Sequence, residues 1–179
     1  MPSNSKIIGN FDKISNQKEE FLLKLEFSVD DFKSMWKRCN LVSNYIAEYS
    51  SYNFEPEDKA ENLISTVINE LIEFITPISE DNTKVDISFK QYKDNILFEI
   101  GNVLKSEKIK EYENILENIN KKNIEELYFN IISQLETEDN NKEFGLLMLA
   151  NDYKGNISSK LYEKEKAITR VLIENEEIK

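Results

Sequence analysis

Residues 85–102 read VDISFKQYKDNILFEIGN, and the fold is decided here. Val85, Ile87 and Phe89 alternate with polar residues, Ile96, Phe98 and Ile100 do so again, and Lys93-Asp94-Asn95 separates the two runs. A period of two puts every second side chain on one face, so the stretch predicts a β-hairpin with one apolar face. Such a face needs a covering layer, and the sequence on either side supplies amphipathic helices for it.

Upstream, Phe21, Leu23, Leu25 and Phe27 alternate with Leu22, Lys24 and Glu26, which predicts another one-faced strand. Ser28, Asp30 and Asp31 suit a helix N-terminus. Phe32, Met35, Trp36, Cys39, Val42, Ile46 and Tyr49 then recur at three and four, predicting one helix of about five turns. Pro56, Glu57 and Asp58 mark a second helix start; Leu63, Ile64, Val67, Ile68, Leu71, Ile72 and Ile75 form its apolar stripe, and Pro77 ends it.

Downstream the period turns helical over residues 109–119 and again over 124–135, then a polar loop over 137–142 leads to a short helix over 144–153, closed by Gly155. Residues 157–163 and 167–174 predict a last hairpin. The order β, α, α, β, β, α, α, α, β, β predicts an α/β (α+β) two-layer sandwich. Its sheet is expected to be mixed, mostly antiparallel, and covered on one face by helices. Residues 1–20 are expected to be a flexible arm with room for one short ordered piece, and residues 21–179 a single domain.

Composition excludes several functions. The chain of 179 residues has 23 Lys and Arg against 34 Asp and Glu, a formal net charge of −11, without a basic stripe. That disfavours nucleic acid and anionic membranes as partners. No apolar run is long enough to span a bilayer and the N-terminal residues lack a leader pattern, so a cytoplasmic protein is expected. The single Cys39 cannot form an intrachain disulfide, and the absence of His excludes His-dependent nucleophilic, metal and phosphohistidine chemistry within the chain.

Three constellations can carry chemistry. With Leu63 as origin and about 100° per residue, Glu70 and Phe74 fall at roughly 340° and 20°, neighbours at the rim of the buried face. A carboxylate there can act as a base; the plainer reading is a solvated Glu beside a core Phe. Asn102 continues the inward set of its strand, and its amide can read a ligand or simply turn the chain. Gly145, in Glu143-Phe144-Gly145-Leu146, opens a helix, where backbone N–H groups can approach an anion, or merely admits the helix. The acids Glu136, Glu138 and Asp139 lack calcium-loop spacing and read as solvated loop charges. Tyr45, Tyr49 and Tyr52 read as core edge or as anchors for a partner.

The three constellations, in this order, resemble the histidine-kinase-like (GHKL) ATPase superfamily, and within it the small stand-alone proteins similar to anti-sigma-factor serine kinases. The likeness runs over about residues 21–174. Residues 67–74, VINELIEF, look like the family's Glu-x-x-x-Asn box, with Glu70 at the base position and Phe74 where the magnesium-binding Asn belongs. Asn102-Val103-Leu104 stands for Asp-x-Gly, and Glu143-Phe144-Gly145-Leu146 for Gly-x-Gly-Leu. Glu126-Leu127-Tyr128 and residues 145–153 resemble a bacterial group of GHKL-like proteins found beside signalling and anti-sigma-antagonist proteins.

The resemblance implies a vestigial nucleotide cleft lined by Glu70, Phe74, Asn102, Gly145 and Leu146, with no catalytic residue, no metal and no cofactor. Phe74 offers magnesium no oxygen, and Glu143 brings negative charge toward a triphosphate. The function so implied is a catalytically inactive interaction module in bacterial signal transduction. It would act by partner switching on an anti-sigma-antagonist-like or receiver-domain protein, with a homodimer compatible. The alternative is an ATP- and magnesium-dependent serine/threonine kinase of the anti-sigma type, its metal held by Glu73 or Asn69. Residues 106–135 are expected to replace the nucleotide lid with a helical cap partly covering the cleft.

Overall fold

The structure is a computed structural model and describes residues 5–14, 17–121, 123–134 and 143–178. Six strands, β1 (Lys6–Ile8), β2 (Phe21–Ser28), β3 (Lys84–Gln91), β4 (Asn95–Val103), β5 (Asn156–Leu161) and β6 (Lys166–Glu174), form one sheet in the order β1-β5-β6-β4-β3-β2. Every pairing in it is antiparallel, so the parallel contact allowed for in a mixed sheet is absent among the described residues. Hairpin connections join β3 to β4 and β5 to β6, which makes those two pairings antiparallel because a tight turn reverses direction.

The period-two reading holds at the centre of the sheet. Phe89 and Phe98 face each other across β3 and β4, their rings edge to face at 5.3 Å. Ile87, Ile96, Ile100, Ile157, Val171 and Ile173 share that buried layer. Among the described residues six α-helices accompany the sheet: α1 (Val29–Ser34), α2 (Lys37–Ser51), α3 (Glu57–Ile75), α4 (Ile109–Lys121), α5 (Ile124–Gln134) and α6 (Phe144–Asp152). α3 is the central one, packed against α2, α6 and β4. Its stripe from Leu63 to Ile75 is buried as expected, and each such aliphatic side chain contributes roughly 1.5–3 kcal/mol by leaving water.

Two departures concern the helices. The single helix expected after Asp30 is divided into α1 and α2, because Met35 takes φ −146° and ψ 87° and interrupts the ladder. Phe32 and Cys39 stay buried on either side of the break, but Met35 and Trp36 are exposed; a break leaves residues three and four apart apolar without keeping them on one face. At the end of α6 the residue with left-handed backbone is Lys154, at φ 51°, while Gly155 donates its N–H to Leu149 O at 3.0 Å.

Of the segment before β2, residues 5–14 lie against the sheet, and Lys6–Ile8 is the one short strand that the sequence left room for. β1 pairs with β5, and Gly9 at φ +74° turns the chain where a Cβ would meet Ile157 O at 2.8 Å. The chain then crosses the outer face of the sheet. Phe11 O accepts a hydrogen bond from Arg170 Nη1 at 2.6 Å, and the Arg170 guanidinium lies 3.6 Å from the centre of the Phe11 ring. Ile14 packs with Tyr92, Leu97 and Leu172 in a second small apolar cluster. Arg170 is also fixed by Glu99, directly opposite on β4, through Nε to Oε1 at 2.7 Å. The sequence does not announce this path, because Ile7, Ile8, Phe11 and Ile14 stand among polar residues with neither a strand's nor an extended helix's period.

Candidate functional site

Four of the five cleft residues converge. Glu70 and Phe74, one turn apart on α3, and Gly145 and Leu146, in the first turn of α6, line one cavity of about 630 Å³. Its remaining wall comes from Lys33 and Trp36 at the break between α1 and α2, from Glu73, from Thr76 and Pro77, and from Phe144. Asn102 does not line it. That amide is buried under the C-terminal end of α3, where Nδ2 donates to Ser79 Oγ at 2.7 Å and Ser79 Oγ donates to Ile75 O at 2.7 Å. Asn102 Oδ1 has no hydrogen-bond partner.

Glu70 is half-buried, not the solvated side chain of the plainer reading. Burial pushes its carboxyl up to about 7, and the like charge of Glu73 adds to the rise. Glu73 Oε1 accepts a hydrogen bond from Asn69 Nδ2 at 2.6 Å, which ties those two side chains to each other, and Asn69 Oδ1 is buried without a partner. Gly145 is explained by Glu70. A Cβ at position 145 would overlap Glu70 Oε2 and come within 3.0 Å of Glu70 Cδ. Gly145 therefore neither opens the helix nor precedes it: α6 starts at Phe144, and the glycine lies inside its first turn so that a carboxyl can rest on the backbone.

Phe74 is 5% exposed and stacks on Tyr112 of α4, with ring centres 5.8 Å apart and planes 25° apart. Tyr112 is fully buried, and its hydroxyl is shared with Ser159 Oγ at 2.5 Å and Thr169 Oγ1 at 2.8 Å on neighbouring strands. The helical period places Phe74 at the rim of the buried face, and the plainer reading makes it a core Phe; α4 packs over it and buries it. Residues 106–121 belong to the covering layer, and among the described residues none of α4 or α5 lines the cavity. The expected cap is therefore not over this cleft. α5 packs instead on α6, where Tyr128 stacks on Phe144 at 5.7 Å, so Glu126-Leu127-Tyr128 and the 145–153 segment are partners in packing.

The donor set does not suit magnesium triphosphate. The Phe74 ring offers no oxygen to a metal ion, and Glu70 and Glu73 face a cavity whose lining, among the described residues, includes one cation, Lys33. Lys33 is itself engaged, donating to Ser79 O at 2.7 Å and Asp81 Oδ1 at 2.5 Å. Among the described residues no group of three or more Cys, Asp or Glu is placed to hold a metal ion. Lys33, Trp36 and Thr76 are cavity residues that the sequence does not mark as such, and the break that places the first two is invisible to periodicity. Glu136, Glu138, Asp139 and the 137–142 loop lie outside the described residues. No helix among the described residues is long and apolar enough to cross a membrane.

No protein-family model matches the sequence, and no curated protein matches it. Among solved structures, the chain is similar to one from the crystal structure of the SiaB–SiaC complex of Pseudomonas aeruginosa, with a TM-score of 0.56 and 12% sequence identity. The likeness covers 91% of this chain and 94% of that one. At that identity it establishes a shared fold.

Proposed function

We propose that this protein is a non-catalytic, GHKL-like interaction module of a bacterial signalling system, acting through a protein partner of the anti-sigma-antagonist or receiver-domain kind. The observation that carries this reading is the Phe74–Tyr112 stack. It fills with apolar side chains the position at which the resembling ATPases place a magnesium ligand. The solved chain of similar fold comes from a two-protein complex, and partner binding is carried over from there. Glu70, Phe74, Gly145 and Leu146 are then remnants of a nucleotide cleft, and Asn102 a structural amide.

Two measurements test this together. A ligand at 100 times its dissociation constant stabilises a protein by about 2.7 kcal/mol, so thermal unfolding with and without magnesium ATP reads nucleotide binding directly; unchanged unfolding is expected. Affinity capture from the native cell extract is expected to bring down a protein of one of the two named kinds, and a clear magnesium ATP shift without such a protein overturns the reading.

A second reading has one observation in its favour. Glu70, at the base position of the resembling kinases, has its carboxyl raised to about 7 inside a cavity, which is where a general base works best. That reading is an atypical ATP-dependent protein kinase. Phosphorylation of the captured partner by the purified chain, lost in Glu70→Ala with the fold intact, would establish it.

A further inference from the structure

The sheet ends in two edges of different character. β1 closes one with three residues, whereas β2 closes the other with eight, and among the described residues no strand pairs with its outer side. A long open edge is a template for another strand. Val29 donates its N–H to Thr83 O at 3.0 Å, continuing the register in which Ser28 faces Lys84. Hydrogen-bonded pairs alternate along an antiparallel ladder, so odd-numbered residues of β2 turn their backbone groups to β3. Leu22, Lys24 and Glu26 turn theirs outward.

We infer that β2 pairs antiparallel with β2 of a second copy of this chain, with Leu25 on the two-fold axis, so that two six-stranded sheets become one. Charge selects both the occupant and the register. A two-fold at Leu25 sets each Lys24 opposite Glu26 of the other copy, twice. A two-fold at Lys24 or at Glu26 sets that charge against itself, and one at Leu23 sets Glu26 opposite Glu20. Opposite charges across a strand pair are favourable and like charges are not. In the single chain Lys24 and Glu26 lie on the exposed outer face, near Asp86 and Lys84 of β3, so pairing adds to their partners without burying them.

The other face of the edge is apolar. Leu23, Leu25 and Phe27 are only partly buried in the single chain; the Leu25 register lays Leu23 against Phe27 and Leu25 against its copy. Beside them on the helical layer stand Tyr49, whose ring is 6.1 Å from that of Phe21, and Tyr45, 6.2 Å from Tyr49. Both are about half exposed, and a tyrosine in that state offers on the order of 100 Å².

Sedimentation equilibrium at concentrations on the order of 100 µM tests the pairing. The wild-type protein is expected at twice the chain mass of 21.0 kDa. Glu26→Lys gives a strand with two lysines and Lys24→Glu one with two glutamates, so each alone is expected to be monomeric. Their equimolar mixture is expected to form heterodimers, because every facing pair is then Lys against Glu. Circular dichroism confirms that both variants are folded. A monomeric wild type, variants that dimerise as well as the wild type, or a mixture that stays monomeric would overturn the inference.

Discussion

The carboxyl of Glu70 rests on the backbone of Gly145, which joins the middle of α3 to the first turn of α6 at a point where a β-carbon would meet that carboxyl. The contact gives the glycine a reason that is independent of any ligand.

Gly145→Ala should therefore act on Glu70 before it acts on the helix. The new methyl displaces a flexible carboxyl toward water, and with less burial the Glu70 pKa should fall from about 7 toward its ordinary range. Carboxyl-carbon NMR titration of the two proteins reads the change; an unaltered Glu70 titration would refute it.

Glu70 also sets a direction for stability against pH. Its folded pKa lies above the unfolded value, so its favourable contribution is complete below about pH 4.5 and is lost as pH rises through about 7. Glu70→Gln should remove that dependence and raise stability at pH 8 by on the order of 2 kcal/mol, with little change at pH 4. Urea unfolding at the two pH values checks both the sign and the window.

Phe74 is expected to behave as a core residue. Phe74→Ala takes the stacked ring off Tyr112 and should cost about 3–5 kcal/mol, measured by urea unfolding. Tyr112→Phe keeps the stack but strips Ser159 and Thr169 of a shared hydroxyl, at a cost of about 1–3 kcal/mol. A Phe74→Ala effect below the Tyr112→Phe effect would mean that the stack is not the main support.

Cys39 is buried, and desolvation pushes its thiol up to about 11. Little thiolate is present at neutral pH, so alkylation should be slow in the native protein and become fast in denaturant. Mass spectrometry of timed iodoacetamide reactions follows it.

Elements with an uninterrupted period were readable from the residues: the two hairpins, the buried stripe of α3, the helices α4 and α6. What escaped was set by contacts between distant parts of the chain. The break at Met35 leaves the spacing of Phe32, Cys39 and Ile46 intact, so nothing local betrays it. Phe74 as a core residue is one of the readings its position on the helical wheel allows, but the ring that covers it, Tyr112, arrives from another helix. Gly145 was noticed as a glycine near a helix start, but its partner lies 75 residues away in the sequence. Asn102 was rightly turned inward by the strand's period, while its distance from the cavity depended on how α3 ends.

The crossing of the outer face by Phe11 and Ile14 ties the order of folding to the order of synthesis. Residues 6–14 leave the ribosome roughly ten to thirty seconds before residues 157–172 at ordinary elongation rates, yet Lys6 pairs with Leu161 and Phe11 is held by Arg170. Until then β1 has no strand to join and the apolar residues that follow it have no surface to lie on. The nascent chain must carry that segment unpaired while about 150 further residues are made, and the sheet closes only when β5 and β6 emerge.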